Sequence, residues 1–379
     1  MLKQLHFLII LNLLAQEAYS QDKKPNFISS YLNKFINDTT DKSKIQTLAY
    51  PTIAYAPETK WEFGFSAVVV GYAKKDTTNR LSELNGFSFI TTEKQYGGII
   101  EHAVFSNKNR WFFLGKLKIQ NFPFYYHGIG LNSPKEKIAT VDAFLFNWKE
   151  RVLRKILGNF YLGLELDFQS LSRVNFKSDT QDISNLTPFG YKGSNNLGIG
   201  IGLLYDNREN VLNVRDGFFA ETALLTNSKK LGSISNFSSI FTDLRYFRSL
   251  GKKNVLAFQS VGQFTLGNPP FNQYSLMGGE MMMRGYYLGR FRDKNYLSLQ
   301  TEFRMLPLPF VKKFGLAVFA SSGIIYDKIS SITTQFFKSA GGVGIHYLLF
   351  PKKDVWTRLD IALNNEGGTG FYFFIGCAF

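Results

Sequence analysis

The feature that most constrains this chain is an alternation of apolar and polar residues from about residue 47 to the end. In 161–169, one face of an extended strand would carry Leu162, Leu164, Leu166 and Phe168, and the other Glu165, Asp167 and Gln169. Successive side chains of a strand point to opposite faces, so period-two alternation predicts β-structure. The same pattern recurs in 296–304 and 356–363, and helical periodicity is missing after residue 47. This part of the chain is therefore predicted to be all-β.

A soluble antiparallel sheet can alternate in the same way, with its polar face in water. Two observations favour a membrane instead. The apolar-faced segments are about ten residues long, which is the length needed to cross a bilayer at a tilt. They also fill about 330 residues without a crossover helix, so no second layer would cover their apolar faces. Since backbone groups in lipid cannot bond to water, the sheet must close on itself. The predicted fold class is a transmembrane antiparallel β-barrel.

Composition agrees with this fold and excludes others. The 379 residues include 38 Phe, 19 Tyr and 4 Trp, and only 19% are charged. The aromatic content excludes disorder, and the single Cys377 excludes a disulfide scaffold. Outside the first twenty residues, apolar runs stay far below the roughly 18 residues of a membrane helix. A chain rich in aromatics and Gly and poor in Pro is typical of a barrel in the outer membrane.

The sequence divides into three parts. Residues 1–20 combine a basic start, an apolar stretch and the small residues of Ala18-Tyr19-Ser20, which predicts a signal peptide cleaved before Gln21. Residues 21–46 form a polar leader with a short amphipathic helix, whose apolar face would carry Phe27, Ile28, Tyr31, Leu32, Phe35 and Ile36. This helix is either an exposed leader or a plug at the barrel mouth. Residues 47–379 form the barrel.

The alternation predicts about sixteen strands, an even number that places both ends of the barrel on the periplasmic side. They lie near 47–56, 61–73, 81–92, 96–106, 110–120, 138–149, 158–171, 193–206, 216–227, 234–247, 253–266, 295–305, 313–326, 336–349, 354–364 and 369–379. The long connections 121–137, 171–192 and 267–294 then all fall on the outer side.

The last strand ends in an aromatic residue. Alternation would place Phe371, Phe373, Ile375, Cys377 and Phe379 on one face. A C-terminal Phe on such a strand resembles the signal by which bacterial outer-membrane barrels are recognised for assembly. Together with the signal peptide, this resemblance predicts an integral protein of the outer membrane of a Gram-negative-type cell.

Four stretches carry motifs of one known family. These are Pro51 to Thr59 with Phe63-Gly64, then Tyr205 to Asn210 running to Arg215-Asp216-Gly217, then Gly278-Gly279 with Met283-Arg284-Gly285-Tyr286, and finally 296–304. They resemble the barrel start, the periplasmic Asp-x-Arg turn (without its usual Pro), the sixth extracellular loop and the following strand of the BamA and TamA barrels. That family is also called the bacterial surface antigen family. The likeness extends over nearly all of the chain past residue 47.

The loop motif also has a physical meaning of its own. A loop that folds back into the lumen must be held there, and a partly desolvated Arg needs a partner. Arg284 is the candidate tether, with Gly285 allowing close approach to the wall and Tyr286 acting as an aromatic wedge. Glu302, facing inward on the next strand, is the candidate acceptor.

Two departures from the family pattern matter. The family carries a second acidic residue on the following strand, where this chain has Ser321. The resemblance therefore implies either a loop that is held less firmly or a replacement by Asp360 or Asp243. The family members that fold other barrels also carry periplasmic POTRA domains, and the residues between Gln21 and residue 47 are too few for one. The resemblance therefore implies a POTRA-less branch, with an envelope protein partner supplying such domains.

Basic residues cluster in the predicted periplasmic turns of a chain with net charge +15, at Lys74, Lys75, Lys108, Arg110, 149–155, Lys252, Lys253, Lys312, Lys313, Lys352 and Lys353. They would face inner-leaflet phosphates or an acidic partner, or simply be solvated. Nucleic-acid binding is not expected, because the chain is exported and the cations are scattered.

No enzymatic activity, cofactor or metal site is predicted. His102, His127 and His346 lack the spacing of metal ligands, and the sequence has neither Gly-x-Ser-x-Gly nor His-Glu-x-x-His. His346 is expected to line the lumen or the membrane interface.

The predicted function, implied by the resemblance, is assistance with the insertion or translocation of proteins or lipids by opening the seam between the first and last strands. Pro51 and Pro57 weaken that seam, because Pro cannot donate to a ladder. The expected lipid partners are phospholipid and lipopolysaccharide. The alternatives are a structural subunit of an envelope complex, or a passive porin-like channel with a lumen lined by Glu165, Asp167, Asp243, Arg245, Arg358 and Asp360.

Overall fold

The computed structural model describes residues 43–56, 60–178, 182–208, 213–251, 253–350 and 354–379. The predicted signal peptide (1–20) and the amphipathic helix of the leader lie outside the described residues, as does Pro57. The first described strand begins at Gln46, one residue before the predicted start of the barrel.

Nineteen strands are described. Their bounds are β1 Gln46–Ala56, β2 Lys60–Tyr72, β3 Leu81–Thr91, β4 Tyr96–Phe105, β5 Trp111–Asn121, β6 Phe124–Tyr126, β7 Ala139–Leu157, β8 Phe160–Lys177, β9 Ser194–Asp206, β10 Gly217–Asn227, β11 Phe237–Leu250, β12 Asn254–Gly267, β13 Ser275–Met277, β14 Phe291–Asp293, β15 Asn295–Met305, β16 Phe314–Tyr326, β17 Lys338–Phe350, β18 Val355–Asn364 and β19 Thr369–Ile375. Single turns of 3₁₀ helix occur at Ala73–Lys75, Asn107–Asn109, Lys229–Leu231, Phe271–Gln273, Ile329–Ser331 and Thr334–Phe336. Among the described residues, no helix has the length and apolar character needed to cross a membrane.

The strands form one antiparallel sheet in which each strand pairs with its neighbour in the chain, and β13 and β14 form a separate small hairpin. Counting β6 as a continuation of β5 along β7 reduces the 17 strands of the sheet to 16. The predicted all-β antiparallel fold is confirmed. The expected closure is not, because the pairings of the described strands include no ladder between β1 and β19.

One predicted boundary is wrong by a large margin. The segment 149–155 was expected to be a basic turn, but β7 continues to Leu157 and pairs with β8 up to Phe160. The inward residues of this extension are stabilised as strand residues, since Leu153 is fully buried and Arg151 contacts two carboxylates. The turn therefore lies at 158–159, beyond the charged stretch.

The two faces of the sheet have inverted polarity compared with a soluble protein. Outward positions are apolar and exposed, as at Ile100, Trp148, Leu164, Leu299 and Val318. Inward positions are polar and buried, as at Arg151, Glu165, Glu302, Arg304 and Asp360. This is the pattern of a sheet with lipid outside and a polar lumen inside.

The three longest connections, 122–138, 178–193 and 268–294, lie at the same end of the sheet, which we call the loop end. Phe271 of the third connection packs against Phe124 and Tyr126 of the first, and against Phe176 of β8. Its backbone N–H donates to the oxygen of Phe189 in the second, at 2.8 Å. The three connections thus meet over the lumen. The opposite end, which we call the turn end, has shorter connections.

Candidate functional site

The connection 268–294 folds back into the lumen as a hairpin. Its base is the β13–β14 ladder, and the segment 278–290 between these strands carries the Gly-Gly and Arg-Gly-Tyr motifs. The turn requires a left-handed backbone at Gly278 (φ 108°), Gly279 (φ 118°) and Gly285 (φ 107°), which glycine adopts at little cost. Met283 takes a similar conformation (φ 54°), buried in an apolar cluster with Met277, Phe291 and Tyr296.

The guanidinium of Arg284, at the tip of this hairpin, makes two buried ion pairs. Its Nη2 lies 2.6 Å from Glu302 Oε2 on β15, and its Nη1 lies 2.6 Å from Asp360 Oδ2 on β18. The ring of Phe319 on β16 stacks under it, with the Cζ atom 3.4 Å from the ring centroid. The Arg284 side chain is only 1% exposed, so both contacts are largely desolvated. One side chain of the loop therefore connects three strands of the wall.

The structure distinguishes the two candidates for the second acceptor. Asp360 contacts Arg284, whereas Asp243 lies 2.6 Å from Arg245 and accepts a hydrogen bond from Gln259. Ser321, at the position where the family has Asp, donates to the carbonyl oxygen of Ala340 at 3.3 Å instead. The second carboxylate thus comes from a strand two positions further along the sheet.

The backbone of Gly285 lies against the last two strands. Its N–H donates to Tyr372 Oη at 2.7 Å, and its carbonyl oxygen accepts from Asn364 Nδ2 at 2.6 Å. A Cβ atom added at Gly285 would lie 3.2 Å from the carbonyl carbon of Leu363. The neighbouring Tyr286 is 2% exposed, and its hydroxyl bonds to the side chain of Asn365. Glycine is therefore the residue that fits at this contact.

A second ion pair continues the network toward the turn end. Glu302 also accepts from Arg304 Nε at 2.6 Å, so this carboxylate bridges two arginines. Arg304 Nη2 in turn donates to the backbone oxygen of Phe379 at 3.0 Å. Arg358, on the strand of Asp360, has its Nε 3.6 Å from that carboxylate. His346, fully buried, pairs with Arg358 across the β17–β18 ladder.

The position of Phe379 corrects the expectation that the C-terminal aromatic residues share one face. Phe371 and Phe373 point outward, being 49% and 42% exposed, but Phe379 is 5% exposed. The reason is a bend after β19, where Gly376 has φ 99°. This bend carries Phe379 inward against Phe247, 6.0 Å away between ring centroids. Of Ile375, only its place at the end of β19 is described.

The other predicted lumen residues form separate clusters on the inner face. Glu165 contacts Arg151 at 2.9 Å and Lys149 at 3.0 Å. Asp167 accepts from Asn147 at 2.8 Å. These residues are far along the sheet from Arg284, and their partners lie on β7. The carboxylates proposed to line the lumen are thus held by local ion pairs and hydrogen bonds.

The hairpin also binds its neighbours at the loop end. Arg290 lies 3.1 Å from Glu366 in the β18–β19 turn and donates to Ser133 Oγ at 3.2 Å. Tyr287 Oη accepts from the backbone N–H of Tyr125 at 3.2 Å. Burial lowers the pKa of Arg292 to about 10, and burial together with the charge of Arg290 lowers the pKa of His127. Arg290 and Arg292 are therefore buried where the connections 122–138 and 268–294 meet.

Sequence reasoning missed Phe319, Tyr372, Asn364 and Asn365 as contacts of the hairpin. The sequence signals are weak, since each belongs to an ordinary alternating strand or a polar turn, 35 to 87 residues from its partner. Within the part of the chain that the structure describes, no group of three or more His, Cys, Asp or Glu side chains could hold a metal ion.

The comparisons with known proteins agree on the fold. The Omp85 superfamily domain matches residues 142–379. The chain is similar to BamA from Haemophilus ducreyi lacking POTRA domains 1–3, with 12% identity and a TM-score of 0.55 over 88% of this chain and 70% of that one. It is also similar to CdiB from Acinetobacter baumannii, with 10% identity and a TM-score of 0.53 over 87% of this chain and 59% of that one. CdiB from Escherichia coli gives 7% and 0.54, over 87% and 62%.

No curated protein matches the chain. At these identities the likeness to solved structures concerns the fold alone, and the chain spans less than two thirds of either CdiB chain. The family match is broader evidence, because it covers well over half of the chain and includes the Arg284 hairpin and both of its acceptors. This chain belongs to the Omp85 superfamily.

Proposed function

We propose that this chain assists the insertion or translocation of proteins or lipids at the outer membrane by opening its wall between β1 and β19. The observation that carries the proposal is the mismatch of these two edges. β1 has 11 residues and β19 has 7, because the chain bends into the lumen at Gly376. Two edges of unequal length cannot form a full ladder, so the seam is the weakest line of the wall.

The chemistry of the edges fits this role. β1 contains Pro51, which has no N–H to donate across the seam. Backbone groups along a strand edge can bind an incoming strand by main-chain hydrogen bonds, and such strand addition is a common mode of peptide recognition. An incoming barrel segment is a suitable ligand, since it arrives as an unfolded strand that needs a template.

The lumen hairpin supplies the fixed side of the seam. Arg284 holds β15 and β18, and Gly285 bonds to Tyr372 on β19 itself. The strands leading to the C-terminal edge are therefore attached to one another through the lumen. Opening would move β1 and its neighbours against this attached half, with Arg284, Glu302 and Asp360 as the loop tether.

Crosslinking tests where a client binds. A photo-crosslinking residue at Phe373 on β19 is compared with one at Leu224 on β10, since both side chains are 42% exposed on the outward face. We expect newly made outer-membrane proteins or lipids to be captured at position 373 and not at 224. Equal capture at both positions, together with an unchanged census of outer-membrane proteins and lipids after depletion, would contradict the proposal.

Conductance separates this function from a passive channel. The porin-like alternative requires a permanently open lumen, whereas the hairpin and its buried ion pairs occupy the lumen here. In planar bilayers we expect the native chain to be mostly closed and Arg284→Ala to show frequent openings. Large steady openings that Arg284→Ala leaves unchanged would favour the channel.

The remaining expectations belong to the same proposal. Omp85 barrels reside in the outer membrane of Gram-negative cells, and we propose export with cleavage before Gln21, which mass spectrometry of the mature protein tests.

We also propose an envelope protein partner at the turn end, where the exposed Lys74, Lys75 and Lys108 offer positive charge. Co-purification in gentle detergent tests for it, and recovery of the barrel alone would argue against a stable partner.

A further inference from the structure

One pair of ionisable side chains lies on the outward, apolar face of the wall. His102 on β4 and Glu150 on β7 are both register partners of Gly115 on β5, so the three residues form one row across the sheet. Both side chains of this row point outward. His102 Nε2 lies 3.1 Å from Glu150 Oε1, and the two side chains are 26% and 25% exposed. Since a carboxylate only accepts, the imidazole donates Nε2–H to it.

The surroundings of this pair are apolar. Outward neighbours on the adjacent strands and rows are Leu84, Ile100, Val104, Leu117, Trp148 and Leu166. We take Trp111 and Arg154 as the membrane boundary toward the turn end, because interfacial Trp and basic residues mark such boundaries. The Cζ atom of Arg154 lies 5.7 Å from the centroid of the Trp111 ring. Glu150 is four residues further from that end than Arg154, about 10 Å deeper in a tilted strand. The pair therefore lies inside the hydrocarbon layer and not at its surface.

Gly115 allows the pair to form. A Cβ atom at this position would collide with His102 Cε1 and Glu150 Oε2, so the two side chains meet directly over the glycine. An acid and a base in lipid are costly, and polar groups at this depth are usually covered by another protein segment that bonds to them. A phospholipid headgroup cannot cover them at this depth.

The arrangement around Gly115 is self-complementary. Two copies in one membrane share their orientation, so a two-fold axis between them must run along the membrane normal. An axis through Gly115 exchanges the two lateral sides of the row, so the His102–Glu150 pair of each copy lies against the same pair of the other. Any different partner would need its own acid and base at the same depth, whereas a second copy supplies both.

We propose that two copies of this chain associate wall to wall through β4, β5 and β7, with Gly115 on the two-fold axis. The His102 and Glu150 side chains of both copies then meet at the axis, where each carboxylate can accept from the imidazole of either copy, and the ring of apolar side chains around them forms the rest of the contact. This interface is distant from the β1–β19 seam, so it is independent of the proposed function.

Disulfide crosslinking in membranes tests the interface. In a Cys377→Ala background, Leu117→Cys places a thiol on the strand of Gly115, next to the axis, and Leu299→Cys places one on a far outward position that is 59% exposed. We expect Leu117→Cys to give at least tenfold more crosslinked homodimer than Leu299→Cys. Equal yields, or a Leu117→Cys adduct with a protein of different mass, would overturn the proposal.

Exchange of the charges separates the polar contact from simple apolar packing. His102→Glu gives a copy with two acids, and Glu150→His gives a copy with two bases. Each alone should lose the Leu117→Cys crosslink at least tenfold, and mixing differently tagged copies of the two should restore it as a heterodimer. Because both variants must be folded for the mixture to recover, restoration also excludes misfolding. Undiminished crosslinking in the separate variants, or no recovery in the mixture, would overturn the proposal.

Discussion

The N-terminal and C-terminal halves of the sheet are stabilised in different ways. In β16, alternate residues are buried, and the ion pair of Arg284 with Glu302 on β15 is 1% and 0% exposed. None of the described side chains of β2 is fully buried, and the ion pair of Lys116 with Glu101 on β5 and β4 is 42% and 45% exposed. The lumen hairpin packs against the C-terminal strands, so it supports one half of the wall. The Arg284 ion pairs do not reach the first strands, where the pair between β4 and β5 is open to solvent.

The largest expected effect on stability comes from removing the guanidinium of Arg284. Arg284→Ala leaves Glu302 with one partner and Asp360 with a weak one, which we expect to destabilise the barrel by about 3–5 kcal/mol. The matched change in the other half, Lys116→Ala, breaks an exposed pair and should cost less than about 1 kcal/mol. Urea unfolding in detergent measures both. Similar losses would show that the two halves do not differ as described.

The two carboxylates that bind Arg284 should differ in their contribution to the free energy of unfolding, according to the number of arginines that each one binds. Glu302 accepts from Arg284 and Arg304, whereas the close contact of Asp360 is with Arg284. We therefore expect Glu302→Gln to cost about 2–4 kcal/mol and Asp360→Asn about 1–3 kcal/mol. If the urea unfolding curves of the two variants have equal slopes, their midpoints give the order of the two losses in stability. The reverse order would contradict the bridging role of Glu302.

A pair of glycines tests the fit of the hairpin. Gly285 (φ 107°) lies close to Leu363, whereas Gly232 (φ 92°) has open space around its added Cβ atom. Gly285→Ala combines backbone strain with a close contact, about 1–3 kcal/mol, and Gly232→Ala carries backbone strain of about 1 kcal/mol alone. Limited proteolysis of the hairpin should increase in the first variant only. Equal cleavage would mean that the contact with Leu363 does not position the loop.

The smallest effect is a pH dependence at the loop end. Burial and the nearby charge of Arg290 lower the pKa of His127 below the ordinary value for histidine. A lowered pKa means that the unfolded state binds the proton more readily, so this contribution is complete above about pH 6.5 and is lost as the pH falls through the folded pKa. Proteolysis of the connection 122–138 should therefore increase in acid, and His127→Gln should reduce that increase. An unchanged pH profile in the variant would assign the effect elsewhere.

The strands were predictable because lipid and a polar lumen enforce alternation along nearly every segment. The motif likewise indicated Arg284 and Glu302, but the missing Asp at Ser321 left both Asp360 and Asp243 as candidates, and only the structure distinguishes them. The extension of β7 was not predictable from local charge, since its basic residues resemble a turn until their carboxylate partners on other strands are known. The inward bend at Gly376 depends on one backbone conformation that alternation does not encode.

The outward pairing of His102 with Glu150 was missed for a related reason. The two residues are 48 positions apart, and a shift of one residue in the register of either strand would move its side chain to the lumen. A sequence without the register therefore leaves both residues as ordinary polar positions. The two residues meet only because the register of three strands places both of them beside Gly115.

The order of Arg284, Glu302 and Asp360 along the chain has a consequence for assembly. Both acceptors of Arg284 follow it, at Glu302 and Asp360, so the cation cannot be fully neutralised until β18 has joined the sheet. A nascent barrel that stops short of this strand keeps a half-satisfied guanidinium in its interior, and its hairpin remains loosely held. Arg284 can therefore bind both carboxylates only after β18, the strand before the last, is in place.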